Sequence, residues 1–196
     1  MLLEDSKRQL INVAYKAIEY GLEKNKLWLP NIDDYHESLR VDRAVFVTIK
    51  KDLALRGCIG TLKANGPLVL NVAKYANQAA FHDPRFKPLT KNEFSRINIH
   101  ISILTPEEAL IFEDEEDLVQ KLRPGIDGLI IEKGARKATF LPSVWEQIPD
   151  AKIFLQHLKL KARIAEFDCP EQAWIYQAES ISEDENTLND ASTGSG

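Results

Sequence analysis

Ile97, Ile99, Ile101 and Ile103 alternate with Asn98, His100 and Ser102. A period of two predicts a strand with one apolar and one polar face. Arg43 to Lys50 (RAVFVTIK) is also strand-like, Lys50-Lys51-Asp52 interrupts it, and Leu53 to Thr61 reads as the returning strand of a hairpin. Leu10, Val13, Ala14, Ala17, Ile18 and Leu22 recur at helical spacing behind Ser6-Lys7-Arg8-Gln9. That tetrapeptide has the spacing of a capping box with Ser6 as N-cap, so a helix is expected to run to Lys24 or Asn25. Gly66-Pro67 opens a second helix with the stripe Leu68, Val69, Val72, Ala73, Ala76, Ala79 and Ala80, which must stop before Asp83-Pro84. Thr90 to Glu93 spells another capping box, enough for a single turn.

Farther on, Asp114 to Leu122 reads as a short helix with acid in its first turn. Leu129–Glu132 and Ala138–Leu141 read as strands joined around Gly134, Asp150 caps a helix carrying Ile153, Phe154, Leu155 and Leu158, and Trp174 to Ile181 is expected as one closing strand. Helices and strands do not alternate regularly and some strands pair as hairpins. The pattern predicts an α+β fold with a mixed, mostly antiparallel sheet flanked by helices.

The chain has 196 residues, 44% hydrophobic and 28% charged, enough for one large domain or two small lobes. The formal charge is −5, and four of the acids, Glu183, Asp184, Glu185 and Asp190, lie in a C-terminal stretch without Lys or Arg. The rest is close to neutral, with neither the basic footprint of a nucleic-acid binder nor a polybasic membrane patch. No apolar run reaches the length of a membrane span, and Met1 to Asp5 lacks the basic and apolar regions of a secretory signal. A cytoplasmic protein with Cys58 and Cys169 reduced is expected. Residues 182–196, acidic and poor in apolar anchors, read as a disordered tail behind a body spanning 1–181.

Leu55-Arg56-Gly57-Cys58-Ile59-Gly60 is where chemistry concentrates. Glycine admits close backbone approach, and a neighbouring cation favours thiolate. The same pattern also suits a cysteine that packs as a small hydrophobe between strand glycines. His82-Asp83-Pro84-Arg85-Phe86 follows the second helix. His82 is a candidate base for Cys58, or a polar residue at a helix C-terminus. Arg85 either pairs with Asp83 or holds a carboxylate or phosphate as a fork. Cys58, His82 and His100 have no metal-site spacing, and there is neither a GxGxxG nor a P-loop, so no metal or cofactor is expected. Gly125-Ile126-Asp127-Gly128 reads as a tight turn.

Leu55 to Gly60 resembles the hexapeptide signature of the AMMECR family. Ala79 to Phe86, Ile101 to Pro106, Gly125 to Leu129, Thr139-Phe140-Leu141-Pro142 with Glu146, and Phe154-Leu155 through Lys161-Ala162 resemble its later blocks, in order, over roughly residues 5 to 180. The chain departs at Lys161-Ala162-Arg163-Ile164, where the family carries glycine after Lys-Ala, and over Trp145 to Pro149. The resemblance implies two lobes, the larger around the signature, and partnership with Memo-like and radical-SAM proteins, as in the AmmeMemoRadiSam system protein A of prokaryotes. It implies no reaction. Two functions stay open. One is a binding component for a partner or small anionic ligand, with a cleft around Arg56-Gly57-Cys58 and contributions from Gly60, Asp83 and Arg85. The other is an enzyme using Cys58 as nucleophile and His82 as base for acyl or group transfer on a small anionic substrate.

Overall fold

Helix α1 (Glu4–Lys24) and the single turn α2 (Glu37–Arg40) lead into a hairpin of β1 (Val45–Lys51) and β2 (Ala54–Gly60). α3 (Leu68–Phe81), the turn α4 (Lys91–Phe94) and β3 (Ile97–Leu104) follow. Then come β4 (Glu108–Ala109), α5 (Glu115–Lys121), β5 (Gly128–Lys133), β6 (Arg136–Phe140), α6 (Ala151–Ala162), β7 (Gln172–Tyr176) and β8 (Ala178–Ser182). This computed structural model describes residues 2–183; residues 184–196 of the expected tail lie outside it. Its helices and two antiparallel four-stranded sheets make it an α+β protein. No described helix is long and apolar enough to cross a membrane.

The described residues divide into two compact units, 2–104 with 179–183, and 105–178. The strands divide with them into sheets ordered β2-β1-β3-β8 and β4-β7-β5-β6. In the first unit, Val45, Val47 and Ile49 of β1 and the four isoleucines of β3 are buried in one core with the apolar faces of α1 and α3. Asn98, His100 and Ser102 occupy the opposite, half-buried face, as their alternation requires. Thr48 faces Cys58 on one side and His100 on the other. The hairpin turns on Asp52 and Leu53, at φ 50° and 68°, the left-handed pair that a two-residue loop needs to match strand twist. The β1–β2 register slips between Ile49 and Lys50: Ile49 faces Gly57 and Lys50 faces Leu55, leaving Arg56 as the extra residue of a bulge.

Two local expectations change. α1 begins at Glu4 behind Leu3, with no side-chain cap, and Ser6 is buried within its first turns. The acids Glu4 and Asp5 hold that end, and Asp5 accepts the Gln9 amide at 2.7 Å. The expected strand from Trp174 to Ile181 is two strands, β7 and β8, in different sheets. Between them the Gln177 N–H donates to Thr105 Oγ1 and its carbonyl accepts the Thr105 N–H. By contrast, the Thr90–Glu93 box forms with both reciprocal bonds, and Asp114 and Asp150 cap α5 and α6 as read.

The second unit has its own core around Leu129, Ile131, Trp145, Phe154, Leu155 and Leu158. Trp145 stacks on Phe154 with centroids 3.7 Å apart and planes at 1°, and its indole N–H donates to the Asp127 carbonyl at 2.6 Å. The Asp127 carboxylate, fully buried, accepts the Arg123 backbone N–H and both Nε and Nη2 of the Arg123 fork. That closes the glycine-flanked turn read from the sequence, with Gly125 at φ +79°. Lys159, 2% exposed, places its ammonium between Glu115 and the Glu166 carbonyl.

Candidate functional site

The signature occupies β2 at the point where α3 presses on it. A Cβ at Gly57 would lie 2.1 Å from the Ala79 carbonyl oxygen of α3, and one at Gly60 would lie 2.3 Å from the Val45 carbonyl. Both glycines therefore permit backbone contact within the unit. Gly57 points inward, and its neighbour Cys58 lies, half-buried, on the other face beside Thr48. The Thr48 hydroxyl donates to Cys58 Sγ at 3.1 Å.

Asp83 stands just past the end of α3 with its side chain 2% exposed. Its Oδ2 accepts the Cys58 backbone N–H at 2.9 Å. Its two oxygens also accept Arg85 Nε at 2.9 Å and Nη2 at 2.7 Å, and Oδ1 accepts the Arg85 N–H at 3.1 Å. The Arg85 fork, aided by the two backbone N–H donors, holds the Asp83 carboxyl well below the usual carboxylate range despite burial. Arg85 Nη2 reaches back to the Cys58 carbonyl at 3.2 Å. One ion pair thus clamps both backbone groups of Cys58.

Arg56, freed from strand pairing by the bulge, sends Nε and Nη2 to the two oxygens of Glu93 at 2.9 and 3.1 Å, and Nη2 also to the Lys87 carbonyl. Lys51 reaches the same carboxylate at 2.8 Å. Arg56, then Lys51, hold Glu93 well below its ordinary pKa. Arg56 Nη1 is buried with no hydrogen-bond partner.

Of the residues read as a site, the structure brings Arg56, Gly57, Cys58, Asp83 and Arg85 together, with Gly60 at the end of the same strand. His82 follows α3 directly and is exposed, its N–H donating to the Gln78 carbonyl. Among the described residues the hydrogen-bond partner of the Cys58 thiol is Thr48, not His82. Sequence reasoning missed three participants. Thr48 was legible from the hairpin register, and Glu93 was visible only as a cap. Phe86 lies with its ring centre 5.9 Å from the Arg56 guanidinium carbon and 5.5 Å from that of Arg85; nothing in its sequence position marks that role. No group of three or more His, Cys, Asp and Glu able to hold a metal occurs among the described residues.

The chain matches the AMMECR1 family model over residues 11–181. A protein of Methanothermobacter thermautotrophicus is 37% identical over 188 residues, covering 93% of this chain and 97% of that protein. A protein of Saccharolobus islandicus is 40% identical over 168 residues, covering 83% of this chain and 73% of its own length. The crystal structure of an uncharacterized protein from Pyrococcus horikoshii is similar with a TM-score of 0.83 at 31% identity, covering 91% of this chain and 92% of that one. The match spans both units and includes the signature strand, so this chain belongs to the AMMECR1 family.

Proposed function

We propose that this protein is a binding component, working with Memo-like and radical-SAM proteins, whose surface around Arg56, Gly57 and Cys58 receives a small ligand or partner. One observation carries the reading. Both carboxylates near Cys58, Asp83 and Glu93, are fully engaged by arginines, and the thiol's hydrogen-bond partner is a hydroxyl that donates to it. A thiol nucleophile needs a base within hydrogen-bond reach to take its proton. The groups here are arranged to hold the strand still.

A second reading has one observation in its favour. Cys58 is half-buried rather than sealed, and its Sγ is held in one orientation by the Thr48 O–H. Cys58 would then be the nucleophile for acyl or group transfer on a small anionic substrate. The rate of Cys58 alkylation as a function of pH separates the two. Iodoacetamide reactivity that rises only in the range of an ordinary thiol, near pH 8.5, supports binding. A rate already at its plateau at neutral pH sinks it in favour of the nucleophile. Co-elution with purified Memo-like and radical-SAM proteins tests the partnership, and separate elution at micromolar concentration counts against it.

A further inference from the structure

Two guanidinium groups beside Cys58 are anchored in the same way. Arg56 spends Nε and Nη2 on Glu93, and Arg85 spends Nε and Nη2 on Asp83. In both, the Nη1 corner makes no hydrogen bond among the described residues; that of Arg56 is buried, while the Arg85 side chain is 53% exposed. The two guanidiniums flank one aromatic ring, Phe86. A buried N–H without an acceptor is costly, and such groups in native proteins call for an explanation. Around it, the cations Lys51, Arg56 and Arg85 outnumber the carboxylates Asp83 and Glu93 by one, in a chain whose overall charge is −5.

We infer that the Nη1 corners of Arg56 and Arg85 form a preorganised clamp for a small oxyanion, a carboxylate or phosphate head group, with Phe86 covering the Arg56 corner until the anion displaces it. The inference rests on the binding reading of the Cys58 loop and names its ligand class. The carboxylates aim the guanidiniums and leave donors to spare. A guanidinium already fixed on one edge loses little freedom when it binds through the other. The excess positive charge excludes a cation as the occupant. The ring supplies an apolar wall, which suits an anion carried on a compact organic body.

Calorimetric titration of the full chain with inorganic phosphate and with acetate, at ionic strength matched by chloride, tests the clamp. Saturable one-site binding of either anion is expected, together with slower alkylation of Cys58, whose carbonyl Arg85 contacts. Arg56→Lys keeps a cation opposite Glu93 but removes Nη1, and should weaken binding about tenfold. Phe86→Leu uncovers the corner and should tighten binding. Arg96→Gln, an exposed residue paired with Asp52 outside the clamp, should leave it unchanged. The stronger of phosphate and acetate identifies the head group. The clamp is overturned if chloride competes equally with both anions, or if Arg56→Lys binds as the parent does. If Arg56→Lys fails to fold, unchanged affinity in Phe86→Leu overturns it. Anions that fail to bind beside an ordinary Cys58 thiol refute the clamp alone. A thiol reactive at neutral pH refutes the binding reading, whatever the anions do.

Discussion

Asp83 accepts the backbone N–H of Cys58 at 2.9 Å, although 25 residues separate them in the chain. This bond ties the C-terminal end of α3 to the middle of β2, and Arg85 doubles it through the Cys58 carbonyl. The signature strand is therefore fixed from both of its backbone groups at one residue.

Removing that tie should be costly. Asp83→Ala leaves the Cys58 N–H and the Arg85 fork without their acceptor and should lower unfolding stability by about 2–4 kcal/mol. The folded-state pKa of Asp83 lies below its unfolded value, as does that of Glu93. Each contributes stability that is complete above the unfolded carboxylate range, about pH 4, and is lost as pH falls toward the folded pKa. Urea unfolding of the parent should weaken progressively below about pH 5, and Asp83→Asn should flatten part of that slope. An identical slope in the variant would contradict this account.

Leu53 carries two penalties: left-handed backbone at φ 68° and a side chain 90% exposed. Relief of the left-handed strain exceeds the chain entropy that glycine adds, so Leu53→Gly should stabilise by about 0.5–1 kcal/mol. Thermal or urea unfolding reads this directly, and a loss of stability would show that Leu53 makes contacts its exposure does not suggest.

Gly57→Ala and Gly66→Ala form a matched pair. The first drives a Cβ to 2.1 Å from the Ala79 carbonyl, whereas the second places it no nearer than 3.5 Å to the Asn71 side chain. A clash with backbone cannot be relieved by a rotamer change, so Gly57→Ala should cost about 3 kcal/mol or more, and Gly66→Ala under about 1 kcal/mol. Equal effects would mean that α3 can move off the strand.

Burial, then the charge of Glu115, push the Cys169 thiol up, opposed by Lys159. Less of it is thiolate at neutral pH, so Cys169 should alkylate more slowly than a thiol of ordinary pKa, and the gap should close as pH rises. Glu115→Gln removes one of the raising charges and should speed the reaction. Peptide mass spectrometry after timed alkylation measures it; an unchanged rate would assign the slowness to steric cover alone.

What could be read from the chain was local. The isoleucine alternation gave β3 its faces, the Thr90–Glu93 spacing gave a real capping box, and the halt before Asp83-Pro84 placed the end of α3. Ser6 misled because acids one and two residues earlier compete for the same helix end. Trp174 to Ile181 misled because strand propensity says nothing about which sheet a strand joins. At the site, proximity of Cys58 to Asp83 and Arg85 followed from a hairpin and the helix behind it. The Arg56–Glu93 fork did not, because it depends on a one-residue bulge that periodicity does not mark. The hydroxyl partner of the thiol was legible only by registering the hairpin, not from the composition of either strand.

Trp145 gives the second unit an optical reporter of its own. Its indole is sealed at 3% exposure, stacked flat on Phe154 and bonded to the backbone carbonyl of Asp127. Trp28 is half-buried under the Lys16 ammonium in the first unit, and Trp174 lies beneath Lys137 on a strand of the second. With Trp28 and Trp174 replaced by phenylalanine, emission from Trp145 would be short in wavelength and would redden only when the core around Phe154 lets water in. The hues of a single side chain would then tell whether residues 105–178 melt with the signature strand or after it.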